Sequence, residues 1–190
     1  VVITNPKDYS LILSEMDKND GDISEETRLR SAIQAFTMTS LYDRRISNYL
    51  YHYVSDAKDT EKNFPPILHL QYRKVQDLRY GENPHQRGAF YREIGFNGAS
   101  VVRAKRLQGK EMSYNNYLDA NSALELVREY DEPTAVIIKH NNPCGVASAD
   151  DLKDAYCIAR DTDPVSSFGG VIAFNTIVDE YTAEEIAKTF

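Results

Sequence analysis

Strand and helix patterns alternate through the second half of the chain, and this alternation limits the folds open to it. The apolar run Thr134–Ile138 is typical of a buried strand, and Val171–Phe174 predicts another. A helical pattern over residues 148–160, capped by Ser148, separates them, and a final helix is predicted to be capped by Thr182. The fold class predicted from this order is a layered α/β domain.

The first of these strands ends in chemically active residues. Lys139 and His140 follow it directly, and two asparagines and Pro143 come next. Because proline lacks a backbone N–H, we expect it to block further strand or helix pairing at that point. Ligands collect at the carboxyl ends of strands in open α/β sheets, so a cation and an imidazole placed there are candidates for catalysis. A strand end with two polar residues facing water is the alternative structure.

The opening part of the chain has a different pattern. Apolar residues recur at spacings of three and four, without Pro or Gly, from about Glu25 to about Ser55, which predicts one long helix. The polar run that follows, closed by Phe-Pro-Pro at residues 64–66, is typical of a linker. We therefore predict a domain boundary there, with residues 1–66 on one side and residues 67–190 on the other.

Charge is distributed unevenly along the chain. The net charge of −7 disfavours a general nucleic-acid-binding function. Between Gln71 and Lys110, however, nine Lys or Arg stand against three acids, so this segment carries +6 and the remainder −13. A basic segment in an acidic chain suits a small anionic ligand, although a solvated face would have the same composition. The lack of a long apolar run or a signal-peptide pattern favours a cytoplasmic protein without a membrane partner.

A polar turn lies within the basic segment. Arg79 offers a fork of donors that matches carboxylate or phosphate, and Tyr80 offers a flat ring with a hydroxyl group. Short strands are predicted beyond the turn, over residues 89–92 and 101–104. The four histidines are scattered and Cys144 has no second cysteine nearby, so no metal site is predicted.

Three motifs together resemble those of one known family. They are LRYGENPHQ at Leu78–Gln86, IKHNNPCGVA at Ile138–Ala147 and DPVSSFGGVIAFN at Asp163–Asn175, with SYNNYLDANSALELV at Ser113–Val127 between. In this order and spacing they resemble the bifunctional purine-biosynthesis enzyme that joins AICAR formyltransferase to inosine monophosphate cyclohydrolase. The resemblance extends over essentially all 190 residues.

The resemblance implies an identity for each part of the chain. Residues 1–66 would be the C-terminal part of the cyclohydrolase domain with its linker, and residues 67–190 the N-terminal part of the formyltransferase domain. The implied fold is a partial cytidine-deaminase-like layered α/β domain without zinc, preceded by a helical segment. The implied reaction transfers the formyl group of 10-formyltetrahydrofolate to the 5-amino group of AICAR, in a cytoplasmic homodimer with composite sites.

The motifs also imply roles for individual residues. His140 matches the catalytic histidine of the family, and Lys139 matches its lysine neighbour. The residues matched to AICAR contacts are Arg79, Tyr80, Asn116, Phe168 and Gly169. In the family the formyltransferase domain continues past the position of Phe190 and the cyclohydrolase catalytic residues precede that of Val1. We therefore expect the 190 residues alone to be inactive in both reactions.

Other functions remain open at this point. A non-catalytic nucleotide-binding or dimerisation module on the same scaffold would need Arg79, Tyr80 and Gly169 but not His140. A zinc-dependent deaminase of related fold is disfavoured by the single cysteine of its would-be zinc turn. For the residues before Pro65, a purely structural role of the long helix is also open.

Overall fold

The computed structural model describes residues 1–54 and 67–189. The chain divides into two compact units, Val1–Leu70 and Gln71–Phe190. The predicted linker falls outside the described residues, so the assignment of residues 1–66 and 67–190 to two enzyme domains stays a prediction. No helix in the described part of the chain is long and apolar enough to cross a membrane.

The first unit is built from two helices. After a 3-10 turn at Pro6–Asp8, α1 spans Tyr9–Lys18 and α2 spans Glu25–Val54. Asn5 begins the 3-10 turn, because its side chain accepts a hydrogen bond from the backbone N–H of Lys7. The long helix predicted from about Glu25 to about Ser55 is confirmed. Its uninterrupted three-and-four periodicity made both its type and its length readable.

One carboxylate joins the two helices. Glu15 of α1 accepts a hydrogen bond from the backbone N–H of Ser24 at 2.8 Å and from the hydroxyl of Thr27 at 2.6 Å. Hydrogen bonds from Ser24 and Thr27 favour the charged carboxylate and lower the pKa of Glu15 from 4.5 to about 2. An ionised side chain therefore holds the start of α2 against α1.

Much of α2 presents apolar side chains to solvent. These exposed residues are Leu29, Ile33, Phe36, Met38, Tyr42, Ile46, Tyr49, Leu50 and Tyr53. An apolar surface of this extent is typical of a face that contacts further protein. The predicted role of its tyrosines in packing or subunit contact stays a prediction.

The second unit contains two antiparallel sheets. Strands β1 and β2 form the first sheet, and β3, β4 and β5 form the second in the order β4-β3-β5. The bounds in chain order are β1 Tyr72–Asp77, β2 Ala89–Glu93, α3 Tyr114–Val127, β3 Thr134–Lys139, β4 Asn142–Ser148, α4 Leu152–Thr162, α5 Pro164–Ser167, β5 Val171–Phe174 and α6 Glu180–Ala187. The predicted α/β class is confirmed, whereas the cytidine-deaminase-like arrangement stays a prediction.

Strand β3 is the buried centre of the larger sheet. Its residues from Thr134 to Ile138 are at most 2% exposed. Side chains alternate between the two faces of a strand. Ala135 and Ile137 accordingly pack in the cluster that contains α4, whereas Val136 and Ile138 pack in the cluster that contains α3. The strand is thus covered by a helix on each face.

The expectation that Pro143 blocks strand pairing is wrong. Pro143 lies in β4, opposite Ile138 of β3. The register shifts at this point, because Ile137 pairs with Gly145 while Ile138 pairs with Pro143. Bulges and edge strands are the places where a sheet tolerates proline, and β4 is an edge strand with such an irregularity.

Three further local predictions are wrong. Asp151 rather than Ser148 caps α4, and Asp179 rather than Thr182 caps α6. Aspartate caps a helix as well as serine or threonine does, so the sequence pattern could not choose between neighbouring candidates. The strand predicted over residues 101–104 is instead a 3-10 turn, Val101–Arg103, whose backbone hydrogen bonds are made locally.

Strand β4 lies very close to α4 at Gly145. A Cβ atom built on Gly145 would lie 1.8 Å from the carbonyl oxygen of Ala159. No side chain fits this distance, so only glycine allows β4 and α4 to pack as they do. The contact fixes the spacing between the sheet and the helix that covers it.

We expect Gly145→Ala to lower the free energy of unfolding by about 3 kcal/mol, because the methyl group forces α4 away from the sheet. Chemical unfolding followed by circular dichroism measures the loss. The matched control is Gly95→Ala, where a Cβ meets nothing within 4 Å and only the φ of +95° is unfavourable. That variant should lose about 1 kcal/mol. Equal losses in the two variants would contradict the steric explanation.

The carboxylate that joins α1 to α2 predicts a pH dependence. Because the pKa of Glu15 is lowered from 4.5 to about 2, its contribution to stability is fully present above pH 4.5 and is lost as the pH falls through about 2. NMR titration of the Glu15 carboxyl carbon should give a midpoint near the lower value. Glu15→Gln, which keeps the acceptor oxygen without the charge, should remove this pH dependence. A midpoint close to 4.5 would show that the hydrogen bonds do not hold in solution.

Candidate functional site

The turn between β3 and β4 carries the predicted catalytic pair. Lys139 ends β3 and pairs with Asn142, the first residue of β4, so His140 and Asn141 form a two-residue hairpin turn. Both have positive φ, 52° for His140 and 63° for Asn141. This left-handed region is unfavourable for L-residues, although His and Asn occupy it more often than most. The turn places the side chain of His140 in an exposed position at the end of the sheet.

Helix α3 holds this turn from one side. The backbone N–H of Asn141 donates to Oδ1 of Asp119 at 2.7 Å, and the hydroxyl of Ser122 donates to Oδ1 of Asn141. Within the turn, the side-chain amide of Asn142 donates to the carbonyl oxygen of His140 at 2.9 Å. The unusual backbone conformation is therefore supported by hydrogen bonds on both sides of Asn141.

The third motif reaches the same place through Lys139. The ammonium group of Lys139 donates to the carbonyl oxygen of Phe168 at 3.0 Å. Phe168 is followed by Gly169, which has a φ of 74°, and by Gly170. A Cβ on Gly170 would lie 3.0 Å from the Ile137 side chain, so this segment packs tightly on β3. The structure thus brings Phe168 and Gly169 to the end of β3 beside Lys139.

The residues of the first motif form a turn that contacts the start of α3. The turn is closed by hydrogen bonds from the N–H of Leu78 to the carbonyl of Gly88 at 2.9 Å and from the N–H of Gly81 to the carbonyl of Gln86 at 2.8 Å. Asn115 of α3 donates its side-chain amide to the carbonyl of Glu82 at 3.2 Å. The polar turn is consequently attached to the same helix that binds Asn141 of the β3–β4 turn.

Arg79 and Tyr80 form a close pair within this turn. The Arg79 guanidinium lies 5.0 Å from the centre of the Tyr80 ring, and its Nη2 lies 3.3 Å from the Tyr80 hydroxyl. Hydrogen bonding with Ser113, and then with the Arg79 guanidinium, holds the pKa of Tyr80 below its usual value. A phenol with a lowered pKa is a stronger hydrogen-bond donor, so the pair can recognise an anionic or polar ligand.

Asn116 has a structural task at the start of α3. Its Oδ1 accepts hydrogen bonds from the backbone N–H of Ser113 at 3.1 Å and from the hydroxyl of Ser113 at 2.9 Å. Together with the bond from the Asn116 N–H back to the Ser113 hydroxyl, these contacts form a capping box. Asn116 is thereby linked to Tyr80 through Ser113.

The predicted site residues therefore fall into two clusters. One contains Arg79, Tyr80 and Asn116, and the other contains Lys139, His140, Phe168 and Gly169. Helix α3 is hydrogen-bonded close to both clusters, at Asn115 to Glu82 of the turn that carries the first, and at Asp119 to Asn141 beside the second.

Sequence reasoning missed the residues of α3 that support the second cluster. Asp119 and Ser122 were indistinguishable from solvent-facing residues of an amphipathic helix. The available signal was their spacing of three, which places them on one side of the helix, together with the concentration of polar residues in the surrounding motif. Only the tertiary position of the β3–β4 turn gives that spacing a meaning.

A groove of about 930 Å³ lies in the same unit, between the smaller sheet and α3. Phe90, Val101 and Leu124 give it apolar walls, and Lys105 and Arg106 of the basic segment also line it. The predicted site residues are not among its lining residues. Apolar walls beside cationic side chains suit a ligand that combines an aromatic ring with carboxylate or phosphate groups.

Metal-binding and thiol chemistry find no support in the described part of the chain. Within residues 1–54 and 67–189, no group of three or more His, Cys, Asp or Glu side chains could hold a metal ion. Burial raises the pKa of the Cys144 thiol, which favours its protonated and poorly nucleophilic form. The titratable groups among the predicted site residues are an imidazole, an ammonium group, a guanidinium group and a phenol.

The pKa of the Tyr80 hydroxyl should lie below that of an ordinary tyrosine side chain, which is about 10. Ser113→Gly, which leaves a tolerated helix cap, should raise the pKa of Tyr80 more than Arg79→Gln does, because the hydrogen bond with Ser113 is the larger cause. NMR of ring-labelled tyrosine measures both shifts, and Tyr80→Phe identifies the signal. An unchanged titration in both variants would show that these contacts do not act on the phenol.

Comparison with known proteins connects these motifs to one family. The family described as the AICARFT/IMPCHase bienzyme matches residues 1–190. The chain is 51% identical over 190 residues to the bifunctional purine biosynthesis protein PurH of Acetivibrio thermocellus, and 51% identical over 189 residues to that of Ruminiclostridium cellulolyticum. Both comparisons cover 100% of this chain and 36% of the relative, so the chain spans about a third of their length. With a match along its whole length, the chain belongs to the AICARFT/IMPCHase bienzyme family.

Proposed function

We propose that this chain acts in purine biosynthesis and supplies part of a formyltransferase site. At this site the formyl group of 10-formyltetrahydrofolate would be transferred to the 5-amino group of AICAR. The observation that carries the proposal is the end of β3, where His140 is exposed and the preceding residue, Lys139, donates its ammonium group to the Phe168 carbonyl at 3.0 Å. The relatives' shared name, bifunctional purine biosynthesis protein, supports the pathway.

His140 is assigned the role of general base. An aromatic amine next to a carboxamide is a weak nucleophile, so its attack on the formyl carbon requires removal of a proton as the C–N bond forms. Histidine side chains titrate near neutral pH and accept such a proton efficiently. An exposed position at the end of the sheet leaves the imidazole accessible to a bound amine.

Lys139 is assigned the role of electrostatic stabiliser. Attack on the formyl carbon forms the new C–N bond and gives a tetrahedral intermediate with negative charge on oxygen. As the intermediate collapses, the bond from this carbon to the folate nitrogen breaks, and that nitrogen takes up the proton removed from the amine. An ammonium group oriented in advance stabilises either charge without further reorganisation. Its hydrogen bond to the Phe168 carbonyl supplies that orientation.

The remaining site residues are assigned to AICAR. Arg79 matches the geometry of a phosphate, with Tyr80 beside it as a polar aromatic contact. Phe168 is 64% exposed and offers a ring face to a base, while the positive φ at Gly169 lets the backbone approach the ligand closely. Asn116 joins this set through its contact with Ser113. The basic segment favours both a phosphorylated nucleotide and the carboxylates of a folate.

The site is open in this chain, which supports completion by other residues. Arg79, His140, Phe168 and Gly169 are all exposed, whereas small-molecule sites enclose most of the ligand surface. We propose that the whole protein is a cytoplasmic homodimer with composite sites, and that the 190 residues alone transfer no formyl group. The exposed apolar face of α2 supports contact with further protein. Cyclohydrolase activity is not assigned to this segment.

In the whole protein, His140→Ala should lower kcat for formyl transfer by about 10²–10⁴-fold, because the general base is removed. Affinity for AICAR should fall by no more than a few-fold, since the phosphate and base contacts remain. A spectrophotometric assay of folate turnover and calorimetric titration with AICAR measure the two effects. His69→Ala, an exposed histidine of the first unit, is the matched control.

Near-normal turnover by the His140→Ala protein would contradict the assignment. AICAR binding that is insensitive both to this change and to pH near neutrality, without any His140-dependent turnover, would favour the non-catalytic nucleotide-binding or dimerisation module.

A further inference from the structure

We propose that Asp119 is a positioning residue, which fixes the β3–β4 turn so that the imidazole of His140 stays in its reactive place. The inference rests on the proposed role of His140 as general base. Asp119 contacts the backbone of Asn141, the neighbour of His140, at 2.7 Å. It acts through the turn and is assigned no contact with the reacting atoms.

The turn itself lacks the sequence that would stabilise it. Two-residue hairpin turns with positive φ at both positions strongly prefer Asn-Gly or Asp-Gly, because glycine meets no steric penalty there. Here His140 and Asn141 adopt φ values of 52° and 63°. Both carry a Cβ, so other backbone conformations compete with the one observed. Besides the bond from Asn142 to the His140 carbonyl, contacts from outside the turn therefore favour the observed conformation.

Helix α3 supplies those outside contacts from a rigid position. Asp119 and Ser122 stand about one turn apart on α3, and together they bind the N–H and the side-chain oxygen of Asn141. The same helix also carries Ala123 and Val127, which are at most 1% exposed and pack with β3. The helix that binds the turn is thus packed against β3, the strand that leads into the turn.

Asp119 is the charged one of the two α3 residues that bind Asn141. A carboxylate that accepts from a backbone N–H makes a charge-assisted hydrogen bond, a class that is stronger than neutral hydrogen bonds. Without it, Asn141 can relax out of the left-handed region and rotate the adjoining His140. A displacement of about 1 Å in a catalytic group can reduce the rate about 100-fold.

The test uses the whole protein with saturating folate. Asp119→Ala should lower kcat about 10- to 100-fold while KM for AICAR changes less than about threefold, because the AICAR contacts are untouched. Asp119→Asn keeps the acceptor oxygen and should retain most of the rate. Adding Asn141→Gly to Asp119→Ala should restore much of the loss, because glycine adopts positive φ without support. Glu125→Ala, at an exposed position of the same helix, should leave kcat unchanged.

Hydrogen–deuterium exchange supplies a readout that does not depend on activity. A peptide spanning the turn should gain one fast-exchanging amide in Asp119→Ala, because the Asn141 N–H loses its acceptor, and not in Asp119→Asn. If Asp119→Ala does not fold, Ser122→Ala removes the other α3 contact and should lower kcat with KM unchanged.

Two results would overturn the inference. One is a kcat within about twofold of the unmodified protein for Asp119→Ala while His140→Ala is inactive, which would leave the base assignment standing. The other is a loss in Asp119→Ala that neither Asp119→Asn nor the added Asn141→Gly restores. Full activity of His140→Ala would instead remove the proposed function itself, so the two failures are distinguishable.

Discussion

Burial of β3 on both faces is the constraint on which the second unit depends. A strand with no solvent-facing side must be apolar throughout and must be covered twice. Ile137 and Ile138 point to opposite layers and are at most 2% exposed, and burial of each side chain contributes about 2 kcal/mol. The need for cover brings α3 to one face and α4 to the other. The helix on the first face then becomes available to organise the polar end of the strand.

Helix α3 combines packing and site organisation in one element. Its buried side binds the core, its capping box contacts the neighbourhood of Tyr80, and its middle turn holds Asn141. Groups on loops are positioned less precisely than groups held by a regular element. Because the two turns that carry the polar clusters are hydrogen-bonded to the same helix, that helix links their positions. The Lys139 contact adds the loop at Phe168 to the same framework.

Local patterns sufficed where one interaction dominates. Helix α2 could be predicted because its three-and-four spacing is uninterrupted, and strand β3 because a fully buried strand is apolar throughout. The bulge that admits Pro143 into β4 was not readable, since it depends on the edge position of that strand. The starts of α4 and α6 could not be located, because several neighbouring residues are good helix caps and the sequence does not show that Asp151 and Asp179 take this role.

The candidate site divides in the same way. The motifs supplied its side chains, including His140 and Arg79, and residue chemistry indicated what each could do. The sequence could not show that the side-chain oxygen of Asn116 accepts hydrogen bonds in a capping box. It also could not show that Asp119 binds the backbone N–H of Asn141. Both facts arise from which segments meet in space. The residues that touch a ligand are therefore easier to anticipate from sequence than the residues that hold them in place.

In the left-handed turn, the residues that would stabilise the hairpin differ from the residues that the proposed reaction needs. A chain selected only for a stable hairpin would carry Asn-Gly between β3 and β4, and it would fold with less need of support from α3. The chain instead carries His140 and Asn141 with positive φ. Natural proteins accept such local strain where a functional side chain requires it. Replacement of His140 and Asn141 by Asn-Gly would thus stabilise the hairpin and remove the imidazole that the proposed reaction needs.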